Sequence, residues 1–313
     1  MSLIRRRRQG SNNFQIPMRA CIIFNPTARG ERAQRLRSQL GSLGRELALR
    51  PTTAPGTATL LAEEAVRQGF DTIISAGGDG TVNEVLNGIA NAPDGLDRAR
   101  LAVLPLGTVN VFARELGISM NPARALQQIR SGRETKIDLP VADFSNGGSV
   151  ARRHFVQLAG AGLDARAIAL ASFALKKKIG PLAYVVAGLQ ALREPQTRIA
   201  VSVDGRQSEG ELVIICNGRF YGGSFNFFPD ADLQDGHLHV CVFRRTNFFA
   251  MLRCGLSALL GRIASLGGGH YLRGERIELT SAVAAPFELE GEHVGHAPVQ
   301  ITLQPRALRV IRP

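Results

Sequence analysis

Residues 77–85 read GGDGTVNEV, and no other stretch limits the fold of this chain as tightly. An apolar run (Ile73, Ile74, Ala76) stops at Gly77, Gly78, Asp79 and Gly80. A helical pattern starts at once, with Val82, Val85, Leu86 and Ile89 recurring at i, i+3, i+4 and i+7. Thr81 is the predicted N-cap, and Glu84 three residues on completes a capping box. The arrangement is therefore strand, glycine turn, helix N-terminus. Glycines let the backbone approach an anion closely, and the first-turn amides of a helix point at it. Such a turn is a phosphate site.

The pattern is echoed. Residues 101–117, LAVLPLGTVNVFARELG, again give an apolar strand, a glycine turn and a helical pattern (Val109, Phe112, Ala113, Leu116). Gly-Thr-Val-Asn stands at 80–83 and again at 107–110. Two such turns at the C-terminal ends of parallel strands would face one crevice, where open α/β sheets bind ligands. A plain capped βα turn accounts for one copy but has no use for Asp79.

With these motifs the chain resembles the diacylglycerol kinase catalytic-domain family. GGDGTVNEV, Asn25-Pro26 and PLGTVN at 105–110 carry the likeness. NEVLNGI, YGGSFNFFPDADLQDG and ELEGE point to its bacterial soluble lipid kinase branch, related to sphingosine and ceramide kinases. GGDGT alone is less specific: NAD kinases carry it and phosphofructokinases carry a close variant. The likeness runs from about Met18 to Pro313. It implies an N-terminal Rossmann-like, NAD-kinase-like α/β nucleotide domain and a C-terminal β-rich sandwich domain. It also implies transfer of the γ-phosphate of ATP, with Mg²⁺, to a lipid hydroxyl.

Phosphoryl transfer needs a phosphate cradle, a divalent cation and a base beside the attacking hydroxyl. The predicted cradle is Gly77, Gly78, Gly80, Thr81 and, in the echo, Gly107. Asp79 would orient Mg²⁺ through water, since Mg²⁺ keeps several waters and takes few carboxylates. The resemblance adds Thr52, Asn83, Glu84, Thr108 and Asn110 on the ATP side of the cleft, with Asn25 beneath the nucleotide. It assigns Asp235 to a structural divalent ion, helped by the carbonyls of Asp232 and His237; an oxygen-only site suits Mg²⁺ or Ca²⁺. The resemblance also makes Glu290 the general base, where lipid kinases of this type usually have the aspartate of Asp-Gly-Glu. Val111 stands where many relatives have aspartate.

The organisation agrees with two units. Strands and helices alternate over 18–140, which predicts parallel βαβ units, including a helix over about 31–47. After Asp138 come a long helical stretch through Leu192, interrupted at Pro181, and short alternating strands such as RIAVSVD, ELVIICN, HLHVCVF and ERIELT. These predict a β-rich lipid-substrate domain over 141–295, and the resemblance has the terminal strands, 296–313, return towards the first domain. Residues 1–17, with Arg5 to Arg8, read as a disordered basic arm.

The four cysteines lack CxxC spacing and read as reduced thiols of a cytoplasmic protein. The net charge of +12 attracts polyanions, whether membrane, ATP or nucleic acid. Nucleic acid is the minor reading, because the chain has no Trp and three Tyr. Residues 165–192, with Lys176 to Lys178, and 246–268 join apolar runs to cations, as segments on membranes do. Buried core helices explain them as well. The expected partners are thus a lipid substrate and an anionic membrane surface met peripherally; a dimer is compatible with the sequence. Two other functions fit the motifs: a GGDGT kinase of a soluble acceptor such as NAD, and a weakly catalytic nucleotide- or lipid-binding protein.

Overall fold

The computed structural model describes residues 19–26, 47–170, 182–259 and 268–313. The basic arm, most of the helix expected over 31–47, Lys176 to Lys178 and Pro181 lie outside them.

Four parallel strands open the chain: β1 (Ala20–Phe24), β2 (Leu47–Pro51), β3 (Thr72–Gly77) and β4 (Arg100–Pro105), in the order β2-β1-β3-β4. β3 is buried along its whole length and β4 beyond its first residue, hence their near-continuous apolar sequence. The helices between them, α1 (Thr57–Arg67), α2 (Asp79–Asn91) and the short α3 (Gly95–Arg98), turn Ala58, Ala62, Ala65, Val82, Leu86 and Ile89 onto this sheet. Two further helices follow, α4 (Val111–Glu115) and α5 (Pro122–Ser131). Asn121 caps α5 with bonds from the amides of Ala123 and Arg124.

The second unit is β-rich, as expected. Its strands are β5 (Arg133–Asn146), β6 (Ser149–His154), β7 (Leu158–Gly162), β8 (Ile199–Val203), β9 (Arg206–Gly210), β10 (Leu212–Cys216), β11 (Phe220–Tyr221), β12 (Phe225–Asn226), β13 (Leu238–Phe243), β14 (His270–Gly274), β15 (Arg276–Thr280), β16 (Pro286–Leu289) and β17 (Glu292–Arg312). Phe144, Phe155, Val201, Ile215, Val240, Leu279 and Phe287 form its buried interior. Three helices complete it: α6 (Leu163–Leu170), α7 (Leu182–Ala191) and α8 (Phe248–Leu259). They enclose a further apolar cluster that includes Leu158, Ile214, Cys216, Phe227, Phe228 and Phe243.

One strand joins the two units. β17 pairs with β16, β15 and β5, and Val310 then pairs in parallel with Leu101 of β4. Apart from the β11–β12 hairpin, the parallel strands and the β-rich strands are therefore one sheet. Buried Asp138 of β5 pins a bulge of this strand, its Oδ1 accepting from Arg306 N at 2.7 Å.

Candidate active site

The parallel strands end on one edge. Leu106 N and Gly107 N both donate to Gly77 O, at 3.0 and 3.2 Å, so the two glycine turns lie side by side. A β-carbon on Gly107 would sit 2.5 Å from Gly78 Cα, a backbone contact that only glycine allows. Asn110 closes its own turn, accepting from Gly107 N (3.0 Å) and donating to Gly107 O (2.7 Å). Asp79 ties the copies together, with Oδ1 accepting from Phe112 N of α4 at 3.2 Å. Burial pushes its carboxyl above the usual range, and the amides of Val111, Phe112 and Asn110 hold it partly back. Thr52 N donates to Phe24 O at 2.9 Å, which brings Thr52 to the same edge as Asn25, the residue after β1.

The capping box is not formed. α2 begins at Asp79 with Gly78 as N-cap and no side chain capping it, and a β-carbon on Gly77 would meet Thr81 Oγ1 at 2.5 Å. Thr81 therefore lies inside the first turn, too late to cap it. Glu84 reaches instead to Gly56 N (2.9 Å) and Ala58 N (3.0 Å), where it caps α1. Asn83 is buried and accepts from Asn87 Nδ2, which also donates to His154 O at 2.9 Å. Both are thus drawn into packing. Thr108 is exposed on the echo turn, and Val111 is buried.

Glu290 comes to this edge from the far end of the sequence. Leu289 pairs with Glu292, so Glu290 and Gly291 form a two-residue hairpin turn, with φ of +53° and +80°. That is the type I′ geometry, for which Asn-Gly or Asp-Gly is the preferred pair. Glu290 Oε1 accepts from Val156 N and Gln157 N, both at 2.7 Å, and Glu290 N donates to Leu158 O at 3.0 Å. Burial pushes its carboxyl up to about 8; the Gln157 amide opposes the shift and the charge of Asp79 adds to it. Glu292 reaches the glycine loop as well: a β-carbon on Gly80 would lie 3.0 Å from its Oε1.

Behind Glu290 lies a buried polar network that the local sequence does not reveal. Glu115, at the end of α4, accepts from Arg219 N (2.8 Å), Arg219 Nε (2.9 Å) and Gln157 Nε2 (3.3 Å). Glu288 Oε2 accepts from Gly291 N at 2.8 Å, and Asp164 Oδ1 accepts from Tyr221 Oη at 2.6 Å. The signals were present as acids within apolar strands and helices, but nothing local says what they meet.

The Asp235 turn is closed by its own side chains and amides. Asp235 Oδ1 accepts from His237 N at 2.9 Å; its Oδ2 meets His239 Nε2 at 2.8 Å and Asp232 N at 3.2 Å. Burial would raise the Asp235 carboxyl, but His239 and the amides of His237 and Asp232 outweigh it and hold it below the usual range. The carbonyl of Asp232 accepts from Asp235 N, and His237 Nδ1 lies 2.8 Å from Asp235 O. The Asp235 carboxylate and the Asp232 carbonyl, two of the oxygens expected for an ion, thus also close the turn, which Gly236 N anchors to Asp138 Oδ2 at 2.8 Å. Among the described residues no group of three His, Cys, Asp or Glu is arranged to hold a metal ion.

Comparison with known proteins gives the same picture. Residues 19–142 match the model of the diacylglycerol kinase catalytic domain, and residues 157–312 match that of the YegS C-terminal NAD kinase beta sandwich-like domain. The chain is 32% identical to a diacylglycerol kinase of Staphylococcus aureus (strain MRSA252), over 94% of this chain and 92% of the relative. A crystal structure of a diacylglycerol kinase from Bacillus anthracis str. Sterne superposes with a TM-score of 0.69 at 25% identity, covering 94% and 97% of the two chains. A second structure from that organism gives 0.73 at 26%. No helix among the described residues is long and apolar enough to cross a membrane. With this sheet, paired glycine turns and matching relatives, the chain belongs to the diacylglycerol kinase family of lipid kinases.

Proposed function

We propose that this chain transfers the γ-phosphate of ATP to the hydroxyl of a diacylglycerol-like lipid, with Glu290 as general base. The observation that carries the reading is the Glu290 carboxylate, fixed by two amides and close enough to Asp79 for the two charges to repel. A base with a pKa near the working pH combines availability with proton affinity. Its pKa of about 8 fits that requirement.

The glycine turns supply the rest. Gly77, Gly78 and Gly80 on one side and Gly107 on the other leave backbone, without side chains, facing the phosphates. The first-turn amides of α2, with no side chain capping them, attract the anion. Asn110 keeps the second turn closed. A divalent cation such as Mg²⁺ would neutralise charge on the β- and γ-phosphates. Asp79 and Glu292 are the hard oxygen donors beside the loop that would hold it. Neither forms an ion pair with a described residue. Thr52 and Asn25, at the ends of β2 and β1, would border the nucleotide.

The test is label transfer from γ-³²P-ATP to diacylglycerol in mixed micelles with Mg²⁺, with NAD as a parallel acceptor. The reading expects labelled lipid from the wild type, a loss of about 10²-fold or more in Glu290→Gln, and activity kept in Glu290→Asp. Label on NAD alone, or full activity in Glu290→Gln, would refute it.

A further inference from the structure

We propose that α8 and the arginines around it dock this protein on the surface of an anionic lipid bilayer. The helix is apolar on both sides. Met251, Cys254 and Ser257 turn inward, and the first two pack on the cluster beneath α6 and α7. The outward side carries Phe248 (53% exposed), Phe249 (78%), Leu252 (48%) and Leu256 (53%). Four large apolar side chains at i, i+1, i+4 and i+8 form one stripe, which water disfavours unless something covers it. The structure thus gives the described part of the run at 246–268 a second side that a core helix would not need.

The charge around the stripe selects the occupant. Beside it is a cavity of about 640 Å³ lined by Phe243, Arg244, Arg245, Phe249, Arg253 and His270. The three arginines are exposed, and none makes an ion pair with a described carboxylate. The nearby acid, Glu211, is spent on Thr246 N (2.6 Å) and Thr246 Oγ1 (2.9 Å). Exposed aromatic and aliphatic residues beside unpaired arginines are what a headgroup region of anionic lipid takes: apolar groups enter the acyl boundary and guanidinium forks meet phosphate. A protein partner with an apolar patch would satisfy the stripe but would leave the cavity's cations without counter-charge.

The position is also apt. Register places the cavity at the Phe243–Leu212–Gly162 end of β13, β10 and β7, whereas Glu290 stands at their His239–Cys216–Leu158 end. α8 packs on β12, the partner of β11, whose Tyr221 donates to Asp164. The docking face is therefore distinct from the reacting groups and reaches, through one hairpin, Asp164 of the network behind Glu290. The inference rests on the lipid-kinase reading for its purpose only.

The experiment is co-sedimentation of the full chain with phosphatidylcholine vesicles, with and without phosphatidylglycerol, at low and high salt. The wild type should sediment with the anionic vesicles and be released by salt. Phe248→Ser/Phe249→Ser and Arg244→Gln/Arg245→Gln/Arg253→Gln should each lose binding about tenfold or more while phosphorylating micellar lipid as the wild type does. Wild-type binding by both variants, with loss on deleting residues 1–17, would overturn the proposal. So would a wild-type dimer that the double serine substitution turns into a monomer, since the stripe would then be covered by a second copy. Vesicle docking through α8 without phosphoryl transfer to any lipid would sink the kinase reading and leave this one standing.

Discussion

Glu288 and Asp164 close on the same point: a β-carbon at Gly160 would lie 2.7 Å from Glu288 Oε1 and 2.6 Å from Asp164 Oδ2. These two oxygens are buried and have no hydrogen-bond partner. Neither residue forms an ion pair with a described cation. Burial first, and then the charge of Asp164, pushes Glu288 well above the usual carboxyl range; burial raises Asp164 against the Tyr221 hydroxyl. Each carboxyl is therefore held towards its protonated form. Glu288 Oε2 meanwhile holds Gly291 N in the turn that presents Glu290.

Replacing Glu288 by glutamine should keep that turn, because an amide oxygen also accepts from Gly291, and should give Asp164 a permanent donor. A carboxyl raised in the folded state favours folding at pH below its unfolded value, about 4.3, and costs stability as pH rises from there towards the folded value. The Tm difference between Glu288→Gln and wild type should consequently grow from pH 5 to pH 8. A difference that stays flat with pH would mean the carboxyl ionises as easily folded as unfolded. Glu288→Ala, which strands the Gly291 amide, should lose about 1–3 kcal/mol of stability and slow turnover.

The rate should carry the signature of Glu290. Below its folded pKa of about 8 the carboxyl is protonated and cannot take the lipid proton, so kcat/KM should climb with pH and level off above that value. Burial is the larger cause of the shift and would remain in Asp79→Asn, but the charge that adds to it would not. The limb should therefore move to lower pH in that variant, whatever happens to the maximal rate. A limb that does not move, or one that persists in Glu290→Gln, would assign the titration to another group.

The strand–turn–helix reading of GGDGTVNEV needed only periodicity and glycine chemistry, and both are local. The cap was misplaced for a reason the sequence conceals. Gly80 enters the helix, so α2 starts at Asp79, and Glu84 finds donors 28 and 26 residues back at Gly56 and Ala58. Glu290, the proposed base, stood out only through the likeness of ELEGE. Its surroundings, Val156, Gln157, Glu115 and Asp164, come from separate segments. Likewise, nothing in the acids around Asp235 signals that Asp138, about a hundred residues away, holds their turn.

Glu84→Ala tests the reassigned cap. Two amides at the start of α1 lose their acceptor, and loss of a cap costs about 0.5–2 kcal/mol. Tm should fall by several degrees, while KM for ATP stays within about twofold, because neither Glu84 oxygen is left over for the nucleotide. A large rise in KM with an unchanged Tm would return Glu84 to the ATP site.

Gly107→Ala asks whether the two turns must touch. The new methyl would meet Gly78 Cα at 2.5 Å, and backbone cannot swing away as a flexible side chain can. The turns must separate, at a cost of about 1–3 kcal/mol for an overpacked site, and the phosphate cradle opens between them. Affinity for ATP should fall about tenfold or more, since misplacement near 1 Å is costly at such sites. Gly188→Ala is the counterpart. A β-carbon there meets nothing within 4 Å, and its helix should gain about 0.5–1 kcal/mol. Calorimetry with ATP titration on both variants separates the cases. A Gly107→Ala variant that binds ATP like the wild type would show that the paired turns are not the phosphate site.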